Sequence, residues 1–115
     1  LAHETGKGRA KGTKLNIELP PGAGDEAFQE AFARVEAHVD RHAPAFVLVQ
    51  CGADSLAGDP LAELGYGPAA HRHAAARLCL LAARHAGGRL MAFGGGYASA
   101  NLAQAWCEVL AALLA

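Results

Sequence analysis

The sequence is poor in residues on which several common sites depend. Only 6% of its 115 residues are aromatic, and the three cysteines contain no Cys-x-x-Cys pair. This odd number without pairing argues against a disulfide framework and against a zinc ribbon. The presence of only two serines, without a Gly-x-Ser-x-Gly motif, argues against a serine hydrolase. No apolar run approaches the roughly 18–20 residues that cross a bilayer, so we expect no membrane span.

An excess of positive charge is also missing. The 10 Lys and Arg residues are balanced by 11 Asp and Glu residues, which argues against nucleic-acid binding through bulk positive charge. Apolar residues make up 52% of the chain, enough for a core of Ala, Leu and Val. The chain begins with Leu1 and a Gly- and Lys-rich stretch that lacks the apolar segment of a signal peptide. We therefore expect one domain or a piece of one, from the middle of a longer chain. Cys79 and Cys107 lie in apolar surroundings, so we expect buried free thiols, which fit a reducing cytoplasm.

Three apolar segments alternate with three helical patterns and predict an α/β fold with a parallel sheet. The predicted strands cover residues 14–19, 45–51 and 89–93. The first predicted helix starts at Asp25 as its N-cap and carries an apolar stripe, and the second runs from Pro68 to Gly87. The stripe of the first helix is Phe28, Phe32, Val35 and Val39, and the apolar side of the third is Leu102, Trp106, Val109, Leu110, Leu113 and Leu114.

The loops after the second and third predicted strands hold the candidate functional residues. Ligands of open α/β sheets gather at the carboxyl ends of the strands. Here those ends carry Asp54 in one loop and Tyr97, after three glycines, in the other, so both side chains could face one crevice. Each also has a structural interpretation, Asp54 as a turn former or cap and Tyr97 as a half-buried ring.

The histidines offer no clear metal site. His71 and His73 lie two residues apart near a helix start and cannot share one helical face, so we expect surface side chains. The one Asp-x-His spacing, Asp40-Arg41-His42, lies toward the end of the first predicted helix, and we expect it at the surface as well.

The two loops together resemble the zinc-dependent histone deacetylase family, including its bacterial acetoin-utilisation and acetylpolyamine amidohydrolase-like relatives. The resemblance rests mainly on Gly-Ala-Asp-Ser-Leu-Ala-Gly-Asp-Pro-Leu at 52–61, followed by Gly-Gly-Gly-Tyr at 94–97. It extends upstream through residues 6–8 and 15–20 and downstream through residues 101–106, so it covers nearly the whole chain. It implies a three-layer fold with a parallel sheet, of which residues 1–115 would be the C-terminal third of one catalytic domain, with the order βαβαβα.

The resemblance also implies roles for individual residues. Asp54 matches an aspartate of an Asp-His-Asp zinc site, and Tyr97 matches the tyrosine that hydrogen-bonds the substrate carbonyl and then the oxyanion. Leu61, Gly95 and Gly96 match residues that border the channel for the acylated side chain. The metal would be Zn²⁺, or alternatively Fe²⁺. The tandem histidines of the family, the other metal ligands and the ligands of any monovalent cation would lie upstream, and these 115 residues contain no His-His pair.

The function that the resemblance implies is hydrolysis of an acetyl-amide by the parent protein. The substrate would be an acetylated lysine peptide or an acetylated polyamine or other small amine, with no nucleic acid and no membrane as partner. A homo-oligomer is compatible with this interpretation. We expect the 115-residue piece to be inactive alone, because one aspartate does not hold zinc. The alternative is a non-catalytic α/β module that binds a ligand through its strand-end loops.

Overall fold

Helices and strands alternate along the chain, which a computed structural model describes over all 115 residues. The two strands pair in parallel, and a helix connects them. The predicted α/β class with a parallel sheet is therefore confirmed. The elements are α1 (Asp25–His42), β1 (Val47–Gln50), α2 (Pro68–His85), β2 (Leu90–Phe93) and α3 (Ser99–Leu113), with short 3-10 turns at Gly8–Ala10 and Ala53–Ser55.

The two faces of the sheet differ in what covers them. Val47 pairs with Leu90 in the parallel register, and both side chains face the helices. The core formed there combines residues of α1, β1 and α2 with the residue that follows α2: Phe32, Val47, Leu78, Leu81, Ala82 and Ala86. Leu48, Met91 and Phe93 point to the opposite face, where their side chains are exposed. Within this chain the helices thus cover one face of the sheet and leave the second open.

The expected strand over residues 14–19 is not formed. The segment is extended but makes no ladder with either strand. Its alternate side chains Leu15, Ile17 and Leu19 line a small apolar pocket together with Phe28, Ala31, Phe32 and Val35 of α1. Alternating apolar residues predicted a strand, but here they place three apolar side chains on one side of a segment that pairs with no strand.

The predicted helices are confirmed, with a shift at one start. Gly24, rather than Asp25, is the N-cap of α1. The carboxylate of Asp25 instead accepts a hydrogen bond from the Gly67 N–H at 2.7 Å, so it connects the starts of α1 and α2. Pro68 is the first residue of α2, and Gly87 with φ +58° follows its end. The predicted apolar side of α3 is only partly buried, since Leu110, Leu113 and Leu114 are exposed.

Ion pairs join the outer surfaces of α1 and α2. Arg77 donates through Nε and Nη2 to the two carboxylate oxygens of Glu36, at 2.6 and 2.8 Å. Asp40 accepts from Arg84 at 2.8 Å and contacts the His85 ring nitrogen at 2.7 Å. These hydrogen bonds hold the pKa of Asp40 below its usual range. The structure therefore confirms Asp40-Arg41-His42 as a surface segment.

None of the helices combines the length and the apolar character that a membrane span requires.

Candidate active site at the strand ends

The loops that follow β1 and β2 remain paired beyond the sheet. The Cys51 N–H donates to the Phe93 carbonyl at 2.8 Å, and the Ala53 N–H donates to the Gly95 carbonyl at 2.7 Å. The Cys51 thiol also donates to the Phe93 carbonyl, at 3.3 Å. These bonds fix the loop that contains Asp54 beside the loop that leads to Tyr97.

Two glycines permit this close approach. Gly94 has φ +157°, and a Cβ added there would lie 2.8 Å from the Cys51 carbonyl carbon and from the Gly52 nitrogen. A Cβ on Gly96 would lie 3.0 Å from the Cβ of Ala53, whose side chain is fully buried. At Gly94 a Cβ would collide with main-chain atoms, and at Gly96 it would crowd the methyl group of Ala53, so larger residues at these positions would push the loops apart. Gly95, in contrast, has open space around it.

Asp54 lies in the 3-10 turn Ala53–Ser55 and is half-buried. Its neighbours Ala53 and Leu56 are anchored in a small cluster with Ala105 of α3. The side chains of Gln50, Ser55 and His71 hydrogen-bond the main chain of Gly52, and the Asp54 carboxylate makes no hydrogen bond to the protein. The carboxylate is therefore available to an external cation or donor.

A largely apolar cleft of about 590 Å³ lies beside Asp54. Its polar wall contains Gln50, Asp54, Ser55 and His71, and side chains from α1, β1 and α2 form most of the remainder. The thiol of Cys51 also lines it, and burial raises the pKa of that thiol, which keeps it protonated near neutral pH. A protonated thiol is a poor nucleophile, so Cys51 does not provide an alternative catalytic centre.

Tyr97 and Leu61 occupy different surroundings from Asp54. Both side chains are about two-thirds exposed, and neither lines the cleft. Tyr97 ends the glycine turn just before α3, and its hydroxyl points to no protein partner within hydrogen-bonding distance. Leu61 follows an Asx turn in which Asp59 accepts from the Leu61 and Ala62 N–H groups at 2.9 and 3.2 Å. The structure thus brings the Asp54 and Tyr97 loops together, while the roles of Tyr97, Leu61, Gly95 and Gly96 stay predictions.

The expectation that His71 is a surface residue is wrong. Its side chain is only 7% exposed, and its Nε2 lies 3.0 Å from the Gly52 carbonyl oxygen. Its Nδ1 is buried without a hydrogen-bond partner. His71 continues the buried stripe of α2 through Ala75, Leu78 and Ala82, at helical spacings of four, three and four. The spacing of His71 to these apolar residues is the sequence feature that indicates burial. It was overlooked because His71 was considered as a pair with His73, which lies on a different side of the helix. His73 itself is half-buried, with its ring edge on Phe32.

The described residues contain no complete metal site. No group of three or more His, Cys, Asp or Glu side chains is arranged to hold an ion. The Asp54 carboxylate fits the chemistry of one ligand, since it is half-buried and free of protein donors. The three cysteines are free, and none adds to this set. The expectation of a buried Cys107 is wrong, because its side chain is exposed on α3, while Cys79 is half-buried.

Comparisons with known proteins identify the family. The sequence model of the histone deacetylase domain matches residues 1–113, so the chain belongs to the histone deacetylase family. It is 39% identical over 97% of its length to histone deacetylase 10, chloroplastic, of Oryza sativa subsp. japonica. It is 37% identical over 86% of its length to a histone deacetylase-like amidohydrolase of Pseudomonas aeruginosa. The chain spans 26% and 27% of these two relatives.

Solved structures agree with the fold. The HDA15 HD domain superposes with a TM-score of 0.89 at 28% identity, over 99% of this chain and 32% of that chain. An acetylpolyamine aminohydrolase from Burkholderia pseudomallei superposes with a TM-score of 0.83 at 21% identity, over 100% of this chain and 32% of that chain. The second likeness concerns the fold alone.

Proposed function

We propose that the complete protein is a metal-dependent deacetylase. Its substrate is an acetylated lysine in a peptide or an acetylated polyamine or other small amine. Membership of the histone deacetylase family supports the reaction class. The observation that carries the proposal is the 2.7 Å hydrogen bond from Ala53 to Gly95, which joins the loop of Asp54 to the loop of Tyr97. One carboxylate and one phenol are therefore attached to adjoining loops at one end of the sheet.

In this proposal Asp54 is one ligand of a catalytic Zn²⁺ or Fe²⁺ ion. Its carboxylate has no protein donor, so its oxygens remain available to a cation. When bound, the metal supplies polarisation of the substrate carbonyl and a lowered pKa for its water ligand. Catalytic zinc sites take three protein ligands, and the remaining two would come from residues outside these 115. Asp54 therefore forms part of a divided site, which is why we expect the 115-residue piece to be inactive alone.

Tyr97 in this proposal donates its hydroxyl proton in a hydrogen bond to the substrate carbonyl oxygen. Water adds to the carbonyl carbon, negative charge grows on that oxygen, and the hydrogen bond strengthens in the transition state. The C–N bond then breaks, the two protons of the water pass to the leaving nitrogen, and acetate and the protonated amine result. The high exposure of Tyr97 leaves its hydroxyl accessible to an incoming substrate. Leu61, Gly95 and Gly96 border the channel for the acylated side chain.

Replacement of Tyr97 by Phe tests the proposal in the complete protein. Loss of one oxyanion donor should lower kcat about 10²–10³-fold, because that donor acts mainly in the transition state. Stability should be unchanged, since the hydroxyl has no protein partner. The matched control is Tyr66→Phe, which removes the same oxygen from the other tyrosine, a buried ring that packs on Phe28. Its kcat should remain within about twofold of the wild type, since Tyr66 has no role in the proposed chemistry and its hydroxyl makes no hydrogen bond to the protein, although its ring lines the cleft beside Asp54.

The assay uses an acetyl-lysine peptide and a free acetylpolyamine in parallel, with released acetate as the readout. Turnover of one substrate but not the other identifies the substrate class. If Tyr97→Phe turns over each substrate at the same rate as the wild type does, the proposed role of Tyr97 is refuted. If no substrate is turned over and no metal is bound, the deacetylase proposal fails. The non-catalytic ligand-binding module then becomes the better interpretation.

A further inference from the structure

We propose that His71 is a positioning residue for the metal-ligand carboxylate of Asp54, an inference that rests on the proposed function. Its Nε2–H donates to the Gly52 carbonyl at 3.0 Å and crosses from α2 to the strand-end loop. Gly52 stands two residues before Asp54 and two residues after Gln50, the last residue of β1. His71 thereby holds in place the main-chain segment that presents the carboxylate.

Side chains, rather than the sheet ladder, hold both polar groups of the Gly52 backbone. Its N–H donates to Oε1 of Gln50 at 3.1 Å, and its carbonyl accepts from His71 and, at 3.4 Å, from the Ser55 hydroxyl. His71 is the most deeply buried of these three side chains. A buried side chain on a packed helix has little freedom, so this hydrogen bond is the firmest of the three side-chain restraints on Gly52.

The position of Gly52 determines where the Asp54 carboxylate can lie. A Cβ on Gly52 would come within 2.6 Å of Oδ1 of Asp54, so the carboxylate packs directly over the glycine Cα. A shift of Gly52 must therefore shift or rotate the carboxylate. Groups that orient metal ligands without touching the metal are an established means of tuning metal sites, and their loss costs about 10–100-fold in metal affinity or activity.

Packing alone does not account for a histidine at this position. His71 lies among small apolar residues of α2, and its Nδ1 is buried without a partner. An unpaired buried ring nitrogen disfavours folding, so an apolar side chain of similar size would suit the core better. The one polar contact that the ring makes is the bond to Gly52, which is the contact that the proposed role requires.

The test compares His71→Gln with His71→Met in the complete protein. Gln can place an N–H near the position of Nε2, whereas Met has similar size and no donor. The matched control is His73→Met, two residues along the same helix, where the ring contacts Phe32 and not the loop. We expect His71→Met to weaken metal binding about 10–100-fold, measured by chelator competition, and to lower kcat with KM within about twofold. His71→Gln should recover most of both losses, and His73→Met should change neither.

Hydrogen exchange of the metal-free protein provides a readout independent of activity. Peptides that cover residues 52–57 should exchange faster in His71→Met than in His71→Gln or the wild type. In addition, nitrogen NMR of the wild-type imidazole should show the Nε2–H tautomer of His71. This measurement decides the question even if His71→Met does not fold, because an Nδ1–H tautomer would leave no donor facing Gly52 and would overturn the proposal.

Asp54→Ala, measured in parallel, separates the two proposals. If Asp54→Ala abolishes metal binding while His71→Met binds metal as the wild type does, the positioning role of His71 is wrong and the proposed function stands. If Asp54→Ala leaves metal binding unchanged, Asp54 is not a ligand and both proposals fail. Equal losses in His71→Gln and His71→Met would also overturn the positioning role, since the donor would then be irrelevant.

Discussion

Replacement of Gly94 by Ala should destabilise the complete protein and separate the two strand-end loops. Alanine at φ +157° adopts a backbone conformation that costs about 1–3 kcal/mol. Its Cβ would also lie 2.8 Å from two main-chain atoms of the opposite loop, and those atoms cannot rotate away as a side chain can. Reduced freedom of the unfolded chain returns about 0.4–1 kcal/mol. We therefore expect a net loss of about 2 kcal/mol in the free energy of unfolding.

Gly95→Ala is the matched control one residue away. Gly95 has no positive φ and nothing within 4 Å of an added Cβ, so the same methyl group meets no obstacle. Its effect should lie between zero and a gain of about 1 kcal/mol, from the unfolded state alone.

Equilibrium unfolding in urea measures both variants, and deacetylation of a peptide substrate reports the geometry of the loops. Gly94→Ala should lower the unfolding midpoint and the catalytic rate together, because the loop that carries Tyr97 would be displaced from the loop that carries Asp54. If Gly94→Ala has the same stability as Gly95→Ala and the catalytic rate of the wild type, the close approach of the two loops is wrong.

Three further predictions concern the free energy of unfolding of the complete protein. Phe32→Ala should cost about 3–5 kcal/mol in urea unfolding, because Phe32 is 7% exposed in the main core, while exposed Phe46→Ala should cost under about 1 kcal/mol. Glu36→Gln should cost about 0.5–1 kcal/mol at pH 7. The Arg77 hydrogen bonds hold the pKa of Glu36 below its usual range, so this contribution is fully present above the ordinary glutamate pKa of about 4.3 and fades as pH falls through the lower folded value. A stability difference between Glu36→Gln and the wild type that grows on acidification would contradict this assignment. Asp25→Ala should cost about 1–2 kcal/mol, because it removes the charge-assisted acceptor of the Gly67 N–H, and an unchanged unfolding midpoint would show that the connection carries no energy.

Local signals in the sequence were sufficient to predict the positions of the helices and of two strands. The stripe through Phe28, Phe32, Val35 and Val39 places α1, and Pro68 marks the start of α2 within one residue. Residues 14–19 could not be assigned in this way. Alternating apolar residues indicate that one side of a segment is covered, but they do not show whether the segment pairs with a strand. Pairing depends on residues that are distant in sequence, and here the apolar side chains of this segment line a pocket with residues of α1.

The site was predictable to a similar extent. Both loops follow strands, so the general rule for parallel sheets predicted that Asp54 and Tyr97 belong to neighbouring loops. The hydrogen bonds that join these loops depend on main-chain geometry and could not be predicted from residue types. His71 was missed because its burial depends on α2 packing across the Gly52 carbonyl, although its spacing to Ala75 and Leu78 indicated a buried side.

The pairing of the two loops beyond the sheet also limits how this protein can be recombined with its relatives. A Cβ added at Gly96 would lie 3.0 Å from the Cβ of Ala53, so each loop limits the space that side chains of the other can occupy. A chimera that imports residues 52–59 from a relative would place foreign side chains against the resident glycine turn. Exchange of residues 52–59 together with residues 94–97 transfers two loops that fit each other. Substrate preference should therefore be exchanged between relatives by moving both loops at once.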